Sequence, residues 1–202
     1  MADRLDQELM SAAGRGDRDA FGVLVRRYHR SVMQFACRFL GISDRSTAED
    51  LAQEVFLAAW RAAPSFRPRA GVRVFSWLLR ITTNICLNHR RSVALRTTAP
   101  IGADGEPRTP AHGQPEAVVA IDERARQVRA AIAQLPPAQR TAILLREFHD
   151  LSYAEIAEVI DTSVSAVESL LVRARRNLSV ILAEWKVQNV PQVSSGLRAE
   201  SL

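Results

Sequence analysis

Cysteine is scarce in this 202-residue chain: Cys37 and Cys86 are too few and too far apart in sequence to frame a zinc site. A reducing cytoplasm favours two free, mostly buried thiols over a bridge between them. Long apolar runs are missing too, none approaching the roughly 20 residues needed to span a membrane. The opening MADRLDQELM is charged from its third residue and has no apolar signal core, so a soluble, cytoplasmic protein is expected. Lysine is limited to Lys186, which puts nearly all positive charge on guanidinium groups. His29, His89, His112 and His149 are scattered, without partners at metal-ligand spacing. There is no phosphate-cradling P-loop and no Ser/His/Asp arrangement. No catalytic residue, metal or cofactor is therefore expected.

What is present is an uneven distribution of charge. From Asp44 to Trp60 the chain carries Asp44, Glu49, Asp50 and Glu54 against Arg45 alone. Arg61 to Ala103 then holds arginines 61, 67, 69, 73, 80, 90, 91 and 96 with no acidic residue. An acidic helix followed by a basic segment points to two different partners. The basic part suits phosphate, and its guanidiniums can also stack on bases.

Helical periodicity accounts for most of the remainder, with no convincing strand and no internal repeat. A short helix is predicted over Leu5–Ala13, ended by Gly14 and Gly16. Asp17 caps a long helix whose Phe21, Leu24, Val25, Tyr28, Val32, Phe35 and Phe39 recur three and four apart. Ser46 and Glu49 open another, running to about Ala62, with Leu51, Val55 and Ala59 inward. Asp50, Gln53, Glu54 and Leu57 share a separate face at docking-surface spacing. An ordinary solvated acidic face is the plainer reading of it. A helix from Val74 to Arg91 buries Trp77, Leu78, Ile81 and Ile85, and lines up Arg80, Asn84, Asn88 and Arg91 on a polar stripe. Guanidiniums hold phosphate, whereas Asn amides both donate to and accept from base edges. Phe66, Phe75 and Trp77 lie close by; aromatics among arginines suit unstacked bases, although the core is the better place for Trp77.

Ala94 to Pro115 has four prolines, three glycines and almost no large apolar residues, the composition of a flexible linker. The expected fold is thus all-α: two small helical domains, 1–93 and 116–186, joined by the linker 94–115 and followed by a disordered or loosely docked tail, 187–202. In the second domain Ile121, Ala125, Val128, Ile132 and Leu135 mark one helix, and Pro136-Pro137 starts another containing Ile143, Leu144 and Phe148. LSYAEIAEVIDTSVSAVESLLVRARRNL then reads as two helices about a tight turn. Ser152 and Glu155 form a capping box, Asp161 takes the left-handed turn, and Ser163 or Ser165 caps the second helix. Val164, Val167 and Leu171 are expected inward, with Ser169, Val172, Arg173 and Arg176 outward. This is the layout of a helix-turn-helix whose second helix enters the major groove; a plain helical hairpin is the alternative.

These residues resemble the extracytoplasmic-function group of sigma-70-type RNA polymerase sigma factors. DRDAFGVLVRRYHRSVMQFACRFLG and AEDLAQEVFLAAWRA resemble the second conserved region, and FSWLLRITTNICLNHRR the segment after it. LPPAQRTAILLREFHDLSYAEIAEVIDTSVSAVESLLVRARRNL is similar to the fourth. The resemblance implies that Asp50, Gln53, Glu54 and Leu57 dock on the β′ clamp helices of core polymerase, with the β flap as a further contact. It implies −10 recognition and melting by the helix and loop from Arg67 to Arg91, with Arg73, Arg80, Asn84, Asn88, Arg90 and Arg91 on DNA. It implies −35 recognition by Ser165, Glu168, Ser169, Val172 and Arg173, with Arg175 and Arg176 on the backbone, and an anti-sigma factor as partner. There are departures. Many relatives have Gly in place of Asp161, Thr-Val-Lys/Arg in place of Ala166-Val167-Glu168, and Arg in place of Leu170. Glu168 cannot pair with guanine but can accept from cytosine N4, or cap Ser165. The competing readings are a stand-alone dimeric regulator of duplex DNA, which uses only the second domain, and an all-α enzyme or RNA-binding protein, which only the basic charge supports.

Overall fold

The structure, a computed structural model, describes residues 2–42, 45–67, 73–98 and 119–188. Among them are eight α-helices and no strand. α1 (Ala2–Gly14) packs on α2 (Arg18–Leu40), which packs on α3 (Arg45–Ala62) and α4 (Val74–Thr98). α5 (Val119–Gln134), α6 (Pro137–His149), α7 (Tyr153–Ile160) and α8 (Val164–Gln188) follow. α4 runs past the expected end at Arg91 to Thr98, through five residues read as linker; residues 99–118 and 189–202 lie outside the described part.

Local signals set the helix ends. Asp17 accepts from the amides of Asp19 and Ala20 and starts α2. Gly41 ends it at φ 70°, a left-handed conformation that glycine adopts without Cβ strain. An ion pair at the surface edge of a buried carboxylate ties α1 to α2: Asp6 accepts from Arg27 and from the Tyr28 hydroxyl. The predicted stripe of α2 is the spine of this half. Leu24, Val32, Phe35 and Phe39 are buried, and Phe21, Val25 and Tyr28 partly so.

The two halves are not separate bodies. One apolar cluster joins Phe35, Phe39, Leu51, Leu79 and Cys86 to Ile132, Leu135, Leu144, Leu145, Ile156, Val167 and Leu171. Each large side chain fully removed from water there contributes about 1.5–3 kcal/mol. α4 consequently buries more than the one stripe expected. Leu78 faces α2 and α3, while Leu79 and Cys86 join the shared cluster. Trp77, Ile81 and Ile85 are only partly buried.

Three polar features fasten the seam. Arg140 of α6 is buried and donates to the carbonyls of Phe39, Ala133 and Leu135, so it closes the C-terminal end of α2 from the other domain. His149 lies between Phe35 and Phe75, its ring centroid 5.7 Å from each. Arg73, just before α4, pairs with Glu155 of α7 at 2.5 Å. At Gly41 the approach is so close that an added Cβ would lie 2.7 Å from Cβ of Ala133. Some expected core positions face outward: Val164 is 44% exposed, and Ala125 and Val128 of α5 are exposed. Val164 opens α8 one residue after its cap, beyond the reach of the core.

Candidate functional site

The acidic face of α3 is open. Asp50, Gln53 and Glu54 are exposed, and Leu57 beside them is 56% exposed, while Leu51, Ala52, Val55 and Ala59 on the opposite side are buried. None of these three polar side chains has a hydrogen-bond or ion-pair partner among the described residues. An exposed leucine within an unpaired acidic stripe combines an apolar anchor with charge, which suits a basic, partly apolar docking surface.

The polar stripe of α4 also forms as expected. Arg80, Asn84, Asn88 and Arg91 are exposed one above another, and Arg90 is half-buried beside them. At the start of this stripe the rings are packed rather than open to solvent. Phe66 is buried and meets Trp77 edge-on at 5.3 Å, and Phe75 stacks on Tyr28 at 4.9 Å. Arg67 is turned back onto the carbonyls of Pro64 and Phe66. Arg73 is occupied by Glu155. A cleft of about 390 Å³ lies here, walled by Ser65, Arg67, Ser76, Trp77 and Arg80 on one side and by Glu158, Val159 and Asp161 of α7 on the other.

The helix-turn-helix has the geometry its sequence prescribes. Ser152 accepts from the Glu155 amide while the Glu155 carboxylate accepts from the Ser152 amide and hydroxyl. Asp161 turns the chain at φ 55°. Ser163, not Ser165, caps α8, its oxygen accepting from the Ala166 amide at 3.2 Å. Val167, Leu171 and Ala174 are buried, leaving Glu168, Ser169, Val172, Arg173, Arg175 and Arg176 exposed on the outer face, with Ser165 exposed in the first turn. Val172 is 65% exposed, a position at which a buried role is ruled out. Glu168 has no side-chain partner among the described residues and so does not cap Ser165. Arg173 donates to the Ser169 carbonyl, and Arg175 is held 2.9 Å from Glu147, whose hydrogen bond raises its pKa. Leu170 is half-buried against the core.

The chain that carries these three faces is similar to known proteins over most of its length. Residues 24–96 match the family model described as Sigma-70 region 2, and residues 125–178 that described as Sigma-70, region 4. RNA polymerase sigma-H factor of Pseudomonas aeruginosa is 36% identical, over 88% of this chain and 93% of the relative. The chain belongs to the sigma-70 family, extracytoplasmic-function group. ECF RNA polymerase sigma factor SigM of Mycobacterium tuberculosis (strain H37Rv) is 35% identical, over 89% of this chain and 86% of the relative. Among solved structures, CnrH in complex with the cytosolic domain of CnrY has a TM-score of 0.66 at 30% identity, covering 89% of this chain and 98% of that one. The chain is accordingly a DNA-binding transcription-initiation factor of the ECF type, a regulatory class without enzymatic activity. Among the described residues no group of His, Cys, Asp and Glu is arranged to hold a metal, and no helix is long and apolar enough to cross a membrane.

Several contacts of consequence are absent from the sequence reading. Glu158 and Asp161 across the cleft from Arg67 and Arg80, Arg140 in the seam and the buried Asp6 all depend on the meeting of distant segments. One signal was available: Glu155 and Glu158, three apart on α7, share one edge of that helix. The thiols behave as expected for structural cysteines. Neither forms a disulfide, Cys86 is buried and Cys37 half-buried, and burial pushes the Cys86 thiol up to about 12.

Proposed function

We propose that the chain docks on core RNA polymerase through Asp50, Gln53, Glu54 and Leu57 of α3 and directs it to promoters that it reads with two helices. α4 engages the −10 element: Asn84 and Asn88 address an unstacked non-template base, while Arg73, Arg80, Arg90 and Arg91 hold phosphate. α8 lies in the major groove of the −35 element, with Ser165, Glu168, Ser169, Val172 and Arg173 toward base edges and Arg175 and Arg176 toward the backbone. Opening the duplex costs a few kcal/mol per flipped base. Contacts to the open strand and the polymerase's grip supply it, without nucleotide hydrolysis. The factor leaves after initiation. Its partners on the polymerase are the β′ clamp helices and the β flap. A second protein restrains it, an anti-sigma factor by analogy with CnrH, which was solved in complex with the cytosolic domain of CnrY.

The observation that carries this reading is the exposed, unpaired acidic face of α3 on the same chain as the Arg/Asn stripe of α4. A stand-alone dimeric regulator uses α8 but leaves both of those faces without a task. Purified protein added to core polymerase is expected to yield promoter-specific transcripts; tight duplex binding alone with no effect on core would overturn the proposal. Asp50→Ala with Glu54→Ala is expected to weaken core binding about tenfold, a loss of about 1.4 kcal/mol. Unchanged affinity in a titration of labelled protein with core would remove α3 as the docking face.

A further inference from the structure

A second cleft, of about 580 Å³, lies where α2 meets α5, walled chiefly by Arg30, Met33, Gln34, Cys37 and Arg38 of α2 and by Arg129 of α5. Its size falls among small-molecule sites, which run from about 300 to 1,000 Å³. Among the described residues no carboxylate lines it. None of its walls belongs to the α3, α4 or α8 faces assigned to polymerase and promoter.

The guanidiniums there are poorly matched by the rest of the protein. Arg38 has its Cζ 4.4 Å from the ring centroid of Phe148, which takes one face of the group and leaves its N–H edge for an acceptor. The acceptor at hand is a weak one, Oε1 of Gln34 at 3.4 Å. Burial, and then the Arg129 guanidinium, lower the Arg38 pKa from its ordinary value, with Cys37 opposing. Arg38 and Arg129 are thus like charges brought together by helices of different domains. Arg30 is exposed and has no hydrogen-bond or ion-pair partner among the described residues. An anion relieves such a site, because phosphate oxygens accept in pairs from a guanidinium fork and offset the repulsion between neighbouring cations. Arg30 and Arg38 stand eight residues apart, about 12 Å along α2, a span that suits a row of phosphates better than a single ion.

We infer that this cleft binds a polyphosphate chain, free or at the end of a nucleotide, through Arg30, Arg38 and Arg129. Met33 adds an apolar wall and Gln34 an amide, both of which can serve a base. The occupant touches α2 and α5 at once, so it adds a contact between the two halves of the chain. Cys37, half-buried in the same wall, reports on occupancy, since a bound anion both shields its sulfur and disfavours the reactive thiolate.

The test follows iodoacetamide labelling of Cys37 in the full chain, read by mass spectrometry so that the buried Cys86 is scored apart from it. Inorganic tripolyphosphate and ATP are the probes, each titrated without divalent metal. Saturating tripolyphosphate is expected to slow the labelling of Cys37 about fivefold. It should also raise the thermal midpoint of the chain, as a ligand of the folded state does. Tighter protection by ATP assigns the site to a nucleotide, and equal or weaker protection assigns it to the phosphate chain alone. Arg38→Gln/Arg129→Gln is expected to weaken the protection about tenfold or more, the scale of a charge-assisted hydrogen bond. Arg30→Gln changes only an exposed side chain, keeps the fold, and should weaken it severalfold. Three results each overturn the site: no protection by either probe, equal protection by sodium chloride at matched ionic strength, or protection that survives in both variants. Equal protection by a single strand of about 20 nucleotides, at the same phosphate concentration, makes the cleft a DNA contact and overturns the small-ligand assignment.

Discussion

At the scale of single residues, the seam between the domains is the most sensitive part of the molecule. His149 has its Nε2 buried without a partner, and burial, with Arg38 adding to it and Asp150 opposing, brings its pKa down to about 4. The folded chain thus takes up this proton later than the unfolded chain, whose histidine titrates near 6.5. Stability from this group is complete above about pH 6.5 and falls as the pH drops toward 4, by about 3 kcal/mol in total. Urea unfolding followed between pH 7 and 5 should show that decline, and His149→Phe should flatten it; an equal slope in both proteins would contradict the assignment. Arg140 acts without titrating in the working range, since burial lowers it only to about 10. Arg140→Met strands three carbonyls and is expected to cost about 3 kcal/mol in the same unfolding measurement.

Single elements differ in how openly the sequence announces them. α2 is legible because its stripe packs on one side, and α7 because Ser152 and Glu155 lie within one turn. Ser152→Ala should accordingly cost about 1 kcal/mol, read as a lower denaturation midpoint. The faces of α3 and the outer face of α8 were legible for a related reason: exposure on one side of an amphipathic helix needs only its own period. α4 was less so. Its Leu79 and Cys86 answer to residues more than 50 positions away, and no period within the helix records that. The pairing of Arg73 with Glu155, 82 residues apart, is likewise invisible locally. The outward turn of Val164 reflects its place in the first turn of α8, which composition does not encode. Leu79→Ala should cost about 2–5 kcal/mol, because the void opens inside the core common to both halves.

For the molecule as a whole, sharing a core couples the fates of two domains that the family resemblance treats as separable. Heating is expected to give one cooperative transition by calorimetry rather than two, and two resolved peaks would show the seam to be weaker than its buried residues imply. The close approach of Gly41 to Ala133 gives this coupling an adjustable quality. A side chain at 41, or a bulkier one at 133, works as a doorstop at the joint between the halves. Neither position lies on the α3, α4 or α8 faces assigned to polymerase or promoter. The tightness of the joint between the halves can therefore drift by single codons while those three faces keep their residues.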